Sequence, residues 1–204
     1  MELGEIIGDA IKYPLNNIKS LVIYMIIGIL ILIICSLLIE GYGLDIVKFG
    51  IERRNDGPGI DFVRQITNGI KIIIVTFVYY IIPIIITWLL LTLLGRGILT
   101  IIIAFIITIV FAFAQFMAIC RLAKYDNLGE ALAISEAIGD ISKVGILKIL
   151  VTIIVVFVIS FIILFILAMI ARVNNVVGGI LLGIASVYIT FFYNRAIGLL
   201  YSDV

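Results

Sequence analysis

The chain has 204 residues, of which 64% are hydrophobic and only 13% are charged, and its formal net charge is +1. A soluble domain is about half apolar and about a quarter charged, so this composition excludes an ordinary soluble domain. The basic residues form no dense tract, which argues against a nucleic-acid partner. There is no His, and Cys35 and Cys120 form no metal-binding pattern, so we expect no metal site and no cofactor.

Apolar runs of about 20 residues dominate the chain, and this is the length a helix needs to cross the roughly 30 Å of hydrocarbon in a bilayer. The runs lack the alternation of a membrane barrel, so helices are the predicted spanning structure. We predict an all-α polytopic transmembrane helical bundle that forms a single membrane domain over residues 1–204. The predicted spans, none of which contains a charged residue, are 20–39, 72–94, 98–119, 149–170 and 176–194.

Three amphipathic segments precede apolar runs, at residues 2–12, 60–70 and 128–146. Each places apolar side chains on one helical face and polar side chains on the other. Two interpretations stay open. The segments are short interfacial helices in the headgroup plane on the cytoplasmic side, or they are ordinary amphipathic helices packed on the spans from that side.

An internal hairpin repeat is a further hypothesis. Leu3–Ile11 resembles Leu128–Ile138, and Lys19, Lys71 and Lys148 each stand directly before an unbroken apolar run. The repeated unit would be an amphipathic helix, an apolar hairpin and a polar exit. The first unit is short by about one span.

The distribution of Lys and Arg predicts the orientation. The long polar segments 40–71 and 120–148 carry five and four basic residues, whereas the short turns around Arg96 and Arg172 carry one each. An excess of basic residues marks cytoplasmic loops, so we predict that both long segments are cytoplasmic in a multi-pass protein of the cell membrane. Residues 20–39 either cross fully, with the N-terminus outside, or dip in and return. A full crossing needs no irregular backbone in lipid, and we therefore predict five spans.

Residues for chemistry are scarce in the predicted spans. Ionisable side chains inside spans usually indicate function, and their absence here argues against a proton relay, a voltage sensor or a carboxylate ion site. No nucleophile–base pair is visible, so we expect no catalytic residue and no enzyme. The uncharged positions that we single out as candidate midplane or packing residues are Tyr79, Pro83, Gln115, Gly179 and Gly183.

Each of these positions has two interpretations. Pro83 removes a backbone hydrogen bond and frees a carbonyl near Tyr79, which either forms a midplane binding site or only kinks the helix. Gln115 either lines a path or forms an interhelical hydrogen bond, and Gly179-x-x-x-Gly183 predicts close helix packing.

Several short motifs can be read together, and they resemble one protein family. The order is a Gly-Tyr exit, a Pro before an acid and an aromatic residue, a Gly-x-Lys entry and a Tyr-x-x-x-Pro span. These motifs are Gly41-Tyr42, Pro58, Asp61-Phe62, Gly69-Ile70-Lys71 and Tyr79 with Pro83. The pattern resembles an uncharacterised family of archaeal and bacterial polytopic membrane proteins, catalogued as domain of unknown function 4013. The resemblance implies a membrane-integral helical protein and no activity.

Two functional hypotheses follow. The first is a non-enzymatic membrane component that interacts with membrane lipid or with proteins, including copies of itself. It rests on amphipathic segments beside spans that lack chemistry. The alternative is a small-solute transporter or permease component, which rests on the repeated hairpins and on the interruption at Pro83.

Overall fold

The computed structural model describes residues 18–204. The amphipathic segment predicted at 2–12 lies outside the described residues. Within them, the chain forms helices and no strand, which confirms the all-α prediction. In chain order the helices are α1 (Ile18–Ile51), α2 (Phe62–Leu94), α3 (Ile98–Tyr125), α4 (Leu128–Leu132), α5 (Ile134–Val144), α6 (Ile146–Val173) and α7 (Asn175–Tyr201).

Five of these helices, α1, α2, α3, α6 and α7, are long and apolar enough to cross a membrane. This agrees with the five predicted spans, but every helix extends beyond its apolar run. The predicted extent of the polar loop, residues 40–71, is wrong, because α1 continues to Ile51 and α2 begins at Phe62. Residues 60–70 therefore do not form a separate amphipathic helix. They supply the first turns of α2, where the Asp61 carboxylate caps the helix by accepting from the Arg64 N–H at 3.1 Å.

Helix α1 is long and apolar enough for a complete crossing. It is continuous over 34 residues, whereas a segment that dips in and returns would require a break. It packs antiparallel to α2, with Gly41 against the backbone of Gln65 and Gly69 against the backbone of Leu37. A Cβ atom at either glycine would overlap the facing carbonyl, so only glycine allows the two helices to approach this closely.

The other four long helices form two hairpins, α2–α3 and α6–α7. Gly95 ends α2 with a positive φ of 75°, a backbone conformation that favours glycine. The second turn is made by Asn174, whose side-chain oxygen accepts from the N–H groups of Val176 and Val177 at 3.1 Å. These tight turns lie where the sequence predicted them, and they place the two hairpins in the same direction.

The predicted amphipathic segment 128–146 forms two short helices, α4 and α5, between the hairpins. Asn127 caps α4 through the Gly129 N–H at 2.7 Å, and Gly145 ends α5 with a φ of 93°. Both helices pack on the bundle, because Ala131, Ala137 and Ile141 are buried against it. The second of the two interpretations, packing on the spans, describes this contact.

The two ends of the bundle differ in burial. We call the end that holds the start of α2 and α6, the end of α1, α3 and α7, and helices α4 and α5 the charged end. We call the opposite end the hairpin end. Fully buried side chains concentrate near the charged end, with Val47, Met117, Leu122 and Ile149 among them. Towards the hairpin end, most large apolar side chains are exposed, as lipid-facing side chains are in membrane bundles.

Candidate functional site

A buried ionic cluster holds the charged end together. Asp140 in α5 is fully buried, and three side chains from three helices donate to its carboxylate. The Tyr201 hydroxyl and Arg121 Nη1 donate to Oδ2 at 2.6 and 3.1 Å, and Lys143 Nζ donates to Oδ1 at 2.6 Å. Arg121 also donates to the Glu130 carboxylate at 2.6 Å and to its backbone oxygen at 2.9 Å. This cluster joins α3, α4, α5 and α7.

The electrostatics of Asp140 indicate a structural role. Burial by itself raises the pKa of this carboxyl, but the hydrogen bonds from Lys143, Tyr201 and Arg121 outweigh it. The pKa of Asp140 is therefore lowered from its ordinary value. The three donors to this ionised carboxylate come from α3, α5 and α7, so the cluster fixes α5 to the bundle.

Tyr79 and Gln115, two of the residues singled out in the sequence, make structural contacts. The buried Tyr79 hydroxyl donates to the backbone oxygen of Ala131 in α4 at 3.0 Å. Gln115 Nε2 in α3 donates to the Thr76 hydroxyl in α2 at 3.2 Å, which is an interhelical hydrogen bond within the first hairpin. The structure does not bring Tyr79 and Gln115 together in a common cavity among those described below.

Pro83 and the two glycines lie apart from the ionic cluster. Pro83 is buried within α2, which continues through it without interruption, and it borders an apolar cavity of about 310 Å³ with Tyr80 and Trp88. Side chains added at Gly179 or Gly183 would meet nothing within 4 Å. The close approach of α6 and α7 occurs instead at Gly178, which lies against Ala171. No helix within residues 18–204 packs closely at Gly179-x-x-x-Gly183, so close packing there stays a prediction.

A cavity of about 380 Å³ lies where all five long helices meet, and it is partly open. This volume falls within the range of about 300–1,000 Å³ that ligand pockets occupy. Glu40 of α1, Ile72 of α2 and Ile119 of α3 line one part of it. Helices α6 and α7 supply the rest, namely Ile153, Val156, Phe157, Ser160, Ile189, Thr190, Tyr193 and Asn194. We call this space the Glu40 cavity.

The position of Glu40 follows from the packing of α1. Its neighbour Gly41 contacts α2, and two residues further on Gly43 lies against the Asn194 side chain of α7. Because α1 is held between these helices, the intervening face that carries Glu40 borders the space that they enclose, and part of the Glu40 side chain stays exposed. The Glu40 carboxylate differs from the Asp140 carboxylate in its partners. Within residues 18–204, no side chain donates a hydrogen bond to it.

The Glu40 cavity begins at the boundary of the apolar layer and extends into it. Ile72, Ile119 and Asn194 are terminal residues of predicted spans, whereas Ser160 stands at the middle of one. From Ile153 to Ser160, the cavity follows α6 for about 10 Å at 1.5 Å per residue. The chemistry of the site is thus a carboxylate and a few polar groups on the lining of an otherwise apolar space.

Sequence reasoning missed Glu40, because the predicted span ended at residue 39 and the acid was assigned to a loop. In the structure it lies within the continuous helix α1 and within the segment long enough to cross a membrane. The available signal was the sequence that follows it. Gly41 and Gly43 bring two neighbouring helices close, and Glu40 lies on the helical face between these two contacts.

The comparisons with known proteins agree with this architecture. No curated protein and no solved structure matches the chain. One family model, described as "Protein of unknown function (DUF4013)", matches residues 24–172, which is well over half of the 204 residues. The match includes Glu40, the first hairpin and both short helices, and confirms the resemblance seen in the motifs. This polytopic helical protein belongs to the DUF4013 family.

Proposed function

We propose that this protein is a non-enzymatic membrane component that binds a lipid-like amphiphile in the Glu40 cavity. The observation that carries the proposal is the cavity itself, an apolar space among five helices whose lining also includes a carboxylate and a few polar groups. An amphiphile has the same combination, because its chain requires an apolar environment and its headgroup requires polar partners.

Three polar side chains that a transport path could use, those of Tyr79, Gln115 and Ser186, support binding over transport. The Tyr79 hydroxyl is engaged by α4 and the Gln115 amide by Thr76, while the Ser186 hydroxyl donates to the Gly183 carbonyl of its own helix at 2.7 Å. None of the three lines the Glu40 cavity. Such local hydrogen bonds tie these groups to a neighbouring helix or to their own helix, which supports a packing role over a hydrated path.

A matched pair of substitutions tests amphiphile binding. Val156 is buried and lines the cavity, whereas the adjacent Val155 is exposed on the outer face of the same helix. We expect Val156→Trp to fill the cavity and Val155→Trp to leave it open. Native mass spectrometry of protein extracted from membranes, after mild delipidation, should show a retained amphiphile in the wild type and in Val155→Trp only. Equal retention in both variants would show that the cavity is not the binding site.

The proposal also includes an orientation, with the charged end on the cytoplasmic side. It is supported by the excess of basic residues in the segments at that end. Single cysteines placed at Asn55 and at Arg96, in a background without Cys35 and Cys120, distinguish the two ends in intact cells. An impermeant maleimide should label the Arg96→Cys variant and spare Asn55→Cys. The reverse pattern would reject the orientation.

A further inference from the structure

The hydrogen bonds inside the Glu40 cavity indicate the chemistry of its ligand. The Thr190 hydroxyl donates to the Ser186 carbonyl at 2.9 Å, and the Asn194 amide nitrogen donates to the Thr190 carbonyl at 2.9 Å. A carbonyl only accepts, so the Asn194 nitrogen must face it and the amide oxygen remains for other partners. Each side chain thus places one donor on its own helix, and the Thr190 hydroxyl oxygen and the Asn194 amide oxygen keep acceptor positions, while Asn194 also keeps its second N–H.

Glu40 adds a negative charge to these acceptors. Basic side chains at the charged end have other carboxylates as partners: Lys71 pairs with Asp126 at 2.6 Å and Arg64 pairs with Asp45 at 3.0 Å. The ion pairs within residues 18–204 do not include Glu40, so no Lys or Arg nitrogen of this part of the chain lies within 4.0 Å of its carboxylate oxygens. An ionised carboxylate beside an apolar space is unfavourable unless a cation or several donors compensate it.

A primary ammonium meets these requirements. It carries a positive charge and three N–H donors, and it has no acceptor that would compete with the cavity oxygens. An alkyl chain attached to it would lie along the apolar part of the cavity towards Phe157 and Ile189. The hydroxyl group of Tyr193 is compatible with this ligand, since it can act as an acceptor.

We propose that the Glu40 cavity binds a cationic single-chain amphiphile, with a primary ammonium at Glu40 and the Asn194 amide oxygen, and its alkyl chain between the two hairpins. The proposal rests on the proposed function, because it names the ligand class of the same cavity. It adds that charge and N–H donors, rather than the apolar chain alone, select the ligand.

Four probes with the same chain separate these contributions: dodecylammonium, dodecyltrimethylammonium, dodecanol and dodecyl sulfate. Binding to the full chain in lipid nanodiscs is measured by competition and read by native mass spectrometry. We expect dodecylammonium to bind at least tenfold more tightly than the other three, since a hydrogen bond to a charged group contributes more than a neutral one. The trimethylated probe keeps the charge but has no N–H donor, so equal binding of both cations would overturn the role of the donors.

The variant Glu40→Gln tests the carboxylate, with Glu136→Gln as the control because Glu136 is exposed on α5. We expect Glu40→Gln to lose the preference for dodecylammonium while its binding of dodecanol is unchanged, and Glu136→Gln to behave as the wild type. If wild type binds dodecanol and dodecylammonium equally, the cationic proposal is overturned and amphiphile binding stands. If none of the probes binds the wild type, or if Val156→Trp does not reduce binding, the proposed function fails as well.

Discussion

The charged end and the hairpin end of this bundle are stabilised in different ways. At the charged end, side chains from several helices meet in a buried core that includes the fully buried Asp140. Near the hairpin end, apolar side chains such as Phe105 and Phe161 are exposed, and small residues such as Ala185 provide the buried contacts. Lipid tails solvate apolar side chains as well as other side chains do, so packing of such residues need not be dense. The specific arrangement of the helices therefore depends on the charged end.

The largest effect is expected from a substitution that breaks the buried ionic cluster. Asp140→Asn leaves Arg121 and Lys143 without their shared carboxylate, and removing one partner from a buried ion pair costs about 3–5 kcal/mol. In a Cys35→Ser background, the alkylation rate of the fully buried Cys120 reports opening of this end. Asp203→Asn is the control, since Asp203 pairs with Arg53 and Lys148 on the surface and its loss should change little.

Acid should weaken the same end in a defined range of pH. The folded pKa of Asp140 is lowered from an ordinary value of 3.8, so its contribution to stability is present above that value and lost as the pH falls through the folded pKa. We compare the alkylation rate of Cys120 with that of a free thiol at the same pH, because alkylation slows as the thiolate is protonated. We expect this relative rate to stay constant between pH 7 and about pH 5, and to rise below about pH 4. Identical acid profiles for the wild type and Asp140→Asn would contradict this assignment.

Replacing glycine by alanine should change the stability differently at a close helix contact and at an open position. Gly69→Ala places a Cβ atom against the Leu37 carbonyl, and overpacking of this kind costs about 1–3 kcal/mol. Gly179→Ala meets nothing within 4 Å and should be neutral, or stabilising by up to about 1 kcal/mol because alanine favours helix. Unfolding in mixed detergent, followed by circular dichroism, gives both values. A destabilising Gly179→Ala would instead indicate that a second chain packs at this position.

The smallest effect is expected within the first hairpin. Gln115→Leu removes the 3.2 Å hydrogen bond to Thr76, and interhelical hydrogen bonds in membranes average about 0.6 kcal/mol. Thr76→Val should cost a similar amount, and the double variant should cost little more than either single variant. The same unfolding assay measures this cycle. Additive losses would show that the two side chains do not act as a pair.

Much of the fold could be predicted from particular runs of sequence. The uncharged stretches beginning at Ile72 and Ile149 placed two hairpins, and Asn174 marked a turn. The helix ends were predicted less well, because Glu40 and Asp45 were taken as loop residues although α1 continues through both. Hydrophobicity reports where lipid begins, whereas a helix ends where its backbone hydrogen bonds stop, and these two positions need not coincide.

The amino-acid sequence by itself determined the class of this protein, since apolar runs of this length must be helical wherever the solvent is lipid. It also determined the two hairpins and the family. Only the tertiary structure decided which polar residues meet. It joined Arg121, Asp140 and Tyr201 into one cluster, and it placed Glu40 on the lining of a cavity formed by five helices. Such groupings depend on how helices distant in the chain pack around close contacts such as that of Gly41, and no local pattern contains that information.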